Sequence, residues 1–100
     1  MANTTDLMIT SFFDDAAIVE INKKTGLDFK KISDSKKCGG NRIVCFEVYA
    51  TCTHSIGRDN INKLIDIFKK AQFTTPEYSK LFIDCDTDDD LSGVYSINLP

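Results

Sequence analysis

The sequence holds one histidine, His54, no C-x-x-C pair among its four cysteines, and no excess of positive charge. It also has no apolar run approaching the roughly 20 residues that a membrane-spanning helix needs. Each absence removes a class of function. With one histidine and with cysteines at positions 38, 45, 52 and 85, no zinc-ligand spacing can be assembled from neighbours in the chain. The thiols read as small core residues kept reduced, and no cofactor is expected. Twelve basic against fifteen acidic residues give a net charge of −3, the opposite of the footprint of a general nucleic-acid binder. The glycines form neither G-x-G-x-x-G nor G-x-x-x-x-G-K-[ST], so a nucleotide-binding fingerprint is missing. Met1 to Thr10 carries Asp6 and no basic residue, without the charged and apolar regions of a secretory signal. The expectation is a cytoplasmic protein with no membrane partner.

What is present is an ordinary globular composition. One hundred residues, 42% apolar and 27% charged, fit a single domain over 1–100 with one modest core and no need of disulfide or metal staples. No linker, low-complexity tract or internal repeat divides it.

Hydrophobic periodicity orders the elements. A first helix is expected from Thr10 or Ser11, with Ser11 and Asp14 spaced as a capping box and Phe13, Ala16, Ala17 and Ile21 at helical intervals. Asp14 and Asp15 suit its positive end, Lys23 and Lys24 its negative end, and Gly26 stops it. Leu27–Ser33 and Arg42–Thr53 read as strands joined by a loose hairpin. In the longer strand Val44, Phe46, Val48, Ala50 and Cys52 share the face expected to be buried, and Ile43, Cys45, Glu47, Tyr49 and Thr51 share the other. Asp59–Gln72 is a second amphipathic helix with Ile61, Leu64, Ile65 and Phe68 on its stripe, ended before Pro76. Tyr78–Cys85 is a strand in which Leu81, Ile83 and Cys85 alternate with polar residues and Phe82, and a hairpin over Asp86–Ser92 leads to a last strand, Gly93–Leu99. The fold class is therefore α+β, two helices packed on a mainly antiparallel sheet of four to five strands. Where Asp6–Thr10 forms a leading strand, the order becomes the ferredoxin-like β-α-β-β-α-β plus one strand.

Three groups of residues carry candidate chemistry. Asp84, Asp86, Asp88, Asp89 and Asp90 concentrate five carboxylates in one hairpin. The run imitates the start of a calcium loop, but its sixth position is Asp89 rather than Gly and its twelfth is Tyr95 rather than Glu, so no metal is assigned. Its functional reading is electrostatic: a carboxylate-studded hairpin enters a cationic groove in place of phosphates, against the bland alternative of a solvated turn. Lys30, Lys31, Lys36, Lys37 and Arg42 flank Gly39 and Gly40 in the first hairpin and read as a solvated basic tip without a phosphate-binding pattern. Cys52 and His54, two apart on a strand, form the minimal pair of a thiol enzyme or half a metal site, with no further ligand or catalytic partner in the sequence pattern.

A short acidic α+β chain without an active-site signature and with the carboxylate hairpin Asp84 to Asp90 resembles the small bacterial immunity proteins that neutralise a cognate toxin, such as those paired with contact-dependent growth-inhibition nucleases. The resemblance is one of overall character across the whole chain and rests on no motif. It implies an inhibitor without catalytic residues, bound to one protein partner with a basic surface and blocking that partner's active site. Phage-encoded inhibitors of host defence, including anti-CRISPR proteins, share the same character. A small thiol enzyme or metal site around Cys52 and His54 is the alternative from another class.

Overall fold

The computed structural model describes residues 4–11, 15–33, 47–54, 56–85 and 89–97. Over these residues the chain forms β1 (Thr4–Ser11), α1 (Asp15–Thr25), β2 (Lys30–Ser33), β3 (Glu47–His54), α2 (Arg58–Lys70), β4 (Lys80–Cys85) and β5 (Gly93–Ser96). Short 3₁₀ turns at Pro76–Tyr78 and Asp89–Leu91 flank β4.

The strands make one antiparallel sheet of five in the order β2-β3-β1-β4-β5. Each helix joins two strands that have a third strand inserted between them. α1 links β1 to β2 around β3, and α2 links β3 to β4 around β1. This interleaving is the split β-α-β arrangement, with β5 appended beyond β4. The α+β class expected from the sequence is what the chain adopts, and the leading strand is real and longer than Asp6–Thr10.

That strand overturns the expected start of the first helix. Ser11 is the last residue of β1, paired with Glu47, rather than a helix cap, and α1 begins at Asp15. β1 is held by two ladders as far as Thr10, and its ladder with β3 carries on through Ser11, which outweighs what one side-chain cap could add to a helix end. Residues 12–14, with Phe13 of the expected apolar spacing and Asp14 of the expected capping box, lie outside the described residues. The end of α1 matches expectation. Gly26 takes φ +76° and donates its N–H to the Asn22 carbonyl at 2.8 Å, while Lys23 and Lys24 occupy the last turn. Asn22 then fixes the entry to β2, its Nδ2 donating to the Phe29 carbonyl and its Oδ1 accepting the Phe29 N–H.

One side of the sheet is covered by the helices. α1 contributes Ala17, Ile18 and Ile21 and α2 contributes Ile61, Leu64 and Phe68, and the two helices touch each other. Against them lie Leu7 and Ile9 of β1, Tyr49 of β3, and Leu81, Ile83 and Cys85 of β4, forming one core with Phe29, Phe73 and Leu91. Phe68 and Phe73 close its end with ring centroids 5.2 Å apart, tilted 59°. The stripe expected for the second helix and the alternation expected for Leu81, Ile83 and Cys85 both appear. No described helix is long and apolar enough to cross a membrane.

The two faces of β3 are the reverse of the sequence expectation. Glu47 and Tyr49 are each only 2% exposed on the helix-covered side, whereas Val48 and Ala50 are half-buried and Cys52 is exposed on the other. Val44 and Phe46 lie outside the described residues. Burial of the polar pair is possible because it is partnered. The Tyr49 hydroxyl hydrogen-bonds the Glu47 carboxylate at 2.9 Å and Asp15 at 2.6 Å. Lys31 sits 3.0 Å from Asp15 and 3.6 Å from Glu47, over the Tyr49 ring at 5.7 Å from its centroid. Burial, followed by these hydrogen bonds and the two negative charges, holds the Tyr49 phenol protonated far above the ordinary tyrosine range.

Candidate partner-binding face

No described helix covers the second face of the sheet, and strand register arranges its side chains in rungs. Cys52, Asp6 and Asp84 stand side by side on β3, β1 and β4. The next rung along the strands is Ala50, Met8, Phe82 and Val94, and the one beyond is Val48, Thr10, Lys80 and Ser96. Alternation creates this order, since residues two apart on a strand point the same way about 7 Å from one another. The face therefore runs from acidic, through apolar, to a rung where Lys80 donates to the Ser96 hydroxyl at 2.8 Å.

The first two rungs line a shallow hollow of about 670 Å³. Its floor is Met8, Ala50 and Phe82, one rim is Val94, which is 58% exposed, and the acidic end is Asp6 and Asp84. Exposed apolar surface bordered by charge is a common setting for association. Two carboxylates directly opposite each other on adjacent strands repel, and among the described residues no cation pairs with either.

The acidic run singled out in the sequence is divided. Asp84 belongs to this face at the end of β4. Asp90 is turned to α2, where Arg58 donates two hydrogen bonds to it at 2.8 Å each, and this guanidinium holds the Asp90 carboxyl below the usual range. Asp89 stands in the 3₁₀ turn, its side chain outside the described residues, as are Asp86 and Asp88 altogether. The sequence reading missed Asp6, whose partnership with Asp84 arises only from strand pairing across the sheet.

Cys52 is exposed rather than buried as the sequence pattern implied, because its face of β3 is the open one. Its neighbour across the ladder is Asp6. That acidic setting is the opposite of the electropositive one used by reactive thiolates. His54 ends β3 and its side chain lies outside the described residues. Cys85 is buried and accepts a hydrogen bond from Thr5 Oγ1 at 3.5 Å. Among the described residues no group of three metal-ligating side chains converges. Of the basic hairpin, Lys30 pairs with Asp28 at 3.3 Å and Lys31 belongs to the Glu47 cluster, while Lys36, Lys37, Gly39, Gly40 and Arg42 lie outside the described residues.

Comparison with protein-family models, with curated proteins and with solved structures returned no match.

Proposed function

We propose that this chain is a small cytoplasmic inhibitor that binds one protein partner with a basic surface and blocks that partner's active site, in the manner of a toxin-immunity protein. It supplies no catalytic group of its own and needs no cofactor, nucleic acid or membrane. The observation that supports this reading is the open sheet face with an apolar hollow and, at one end, the acidic couple Asp6 and Asp84, which no cation pairs with among the described residues. Asp84 also opens the acidic run to Asp90, so in sequence the charges of the face and of the hairpin are continuous. Such a surface speeds encounter with a cationic groove, an advantage that fades as salt rises.

The test uses immobilised wild-type chain and a variant with Asp6, Asp84, Asp86 and Asp88 changed to Asn, each exposed to lysate of the source organism. A protein retained by the wild type and lost by the variant is then purified and assayed for nuclease activity as the chain is titrated in. Inhibition that saturates at one chain per partner supports the proposal. A retained protein whose activity the chain leaves unchanged, or identical capture by the variant, sinks it.

A further inference from the structure

We propose that the open face selects a partner segment by a two-point code: an arginine held between Asp6 and Asp84, and an apolar side chain one rung further along, on Met8 and Phe82. This deepens the binding reading given above and rests on it. Directly opposite residues on an antiparallel pair have Cβ atoms about 5 Å apart, so two opposed carboxylates offer acceptors on both sides of a narrow gap. A planar guanidinium has donors along two edges and fills such a gap, whereas an ammonium is a point charge. The cation also relieves the repulsion between the two carboxylates, so it gains from an arrangement that is unfavourable in the free protein.

The apolar rung sets the second requirement. It lies about 7 Å from the acidic rung, the spacing of residues i and i+2 on a strand and close to that of i and i+4 on a helix. Ala50, Met8, Phe82 and Val94 present a continuous apolar strip there, with Val94 the most exposed. Lys80, two residues from Phe82 on the same face, makes the opposite end unsuited to a second cation, so the code has a direction. A phosphate-bearing ligand is disfavoured at the acidic end, and the occupant is a protein segment.

The experiment is an amide NMR titration of the full chain with the peptide acetyl-Arg-Thr-Leu-amide, beside the same peptide with citrulline, the neutral isostere, in place of arginine. Expected are shifts at Asp6, Met8, Phe82, Asp84 and Val94 with the arginine peptide, and dissociation constants at least about tenfold weaker with citrulline or in the Asp6→Asn, Asp84→Asn double variant. Both substitutions are at exposed positions, and the variant's own spectrum verifies that it is folded. Absence of shifts on this face, or equal shifts with both peptides, overturns the inference. So does concentration-dependent broadening of these amides without peptide, which assigns the face to a second copy of the chain. The result is separable from the inhibitor reading. A captured partner that shields Cys52 from alkylation while the arginine peptide does not bind leaves the inhibitor reading standing and removes this one, and arginine-specific binding without inhibition of any captured protein does the reverse.

Discussion

Replacing Tyr49 by Phe removes one oxygen from a buried cluster and changes stability in a way that depends on pH. The hydroxyl serves two carboxylates, Asp15 at 2.6 Å and Glu47 at 2.9 Å, and Glu47 is almost wholly shielded from water. A hydrogen bond to a charged group contributes roughly 1.5–3 kcal/mol, so Tyr49→Phe is expected to cost about 2 kcal/mol near neutrality. The folded phenol holds its proton far more tightly than the unfolded one. Its contribution is therefore complete below the unfolded pKa of about 10 and is lost above it as pH climbs toward the folded value. Above about pH 10 the unfolded chain has released this proton while the folded chain keeps it, and stability falls by about 1.4 kcal/mol per pH unit. The variant lacks this slope. The 2 kcal/mol gap between wild type and variant should close near about pH 11.5. Urea unfolding of the two proteins at intervals from about pH 7 to 11 reads the gap directly. A gap that stays constant across that range, or a neutral-pH cost below about 0.5 kcal/mol, refutes the account of the cluster.

Three further outcomes test other parts of the structure. Leu64→Ala empties a fully buried position on α2 and should lower the urea midpoint by an amount equivalent to about 2–5 kcal/mol with little change in slope. Brief alkylation followed by peptide mapping should modify Cys52 in the folded protein and Cys85 only after unfolding; early modification of Cys85 would contradict its burial. The Asp90 carboxyl, followed by NMR, should titrate at a lower pH than in an Arg58→Gln variant, and equal midpoints would show that the ion pair does not form in solution. Any stability this pair adds is present above the ordinary carboxylate range and is lost as pH falls through the lowered value.

Much of the architecture could be read from local pattern, and the misreadings have a common origin. The stripe Ile61, Leu64, Phe68 and the alternation Leu81, Ile83, Cys85 were legible because apolar side chains there face one core. On β3 the more apolar set, Val48 and Ala50, lies on the open side, and the set with Glu47 and Tyr49 lies inside. Periodicity ranks side chains by their own hydrophobicity and cannot see that Lys31, on another element, pairs with the buried Glu47 carboxylate, or that Asp15 accepts from the buried Tyr49 hydroxyl. Ser11 misled for a related reason. A hydroxyl three residues before an acid fits a helix cap, and only pairing with Glu47 identifies a strand end. The same limit hid Asp6, a single acid in a weakly patterned segment until β4 brings Asp84 beside it.

The position of β1 has a kinetic consequence. It precedes both of the strands that flank it, and its residue Thr5 pairs with Cys85, 80 positions later. The middle of the sheet cannot close until β4 exists, and what precedes β4 has an open edge where β1 awaits a neighbour. Loop closures of this length must come before the contacts that reward them, which makes folding slower than that of helical bundles. A nascent or truncated chain that ends before Lys80 leaves the β4 side of β1 as an unpaired edge open to any passing strand. The arrangement that seats Asp6 beside Asp84 in the finished fold thus makes the unfinished chain dependent on completing its synthesis quickly, or on being shielded until it has.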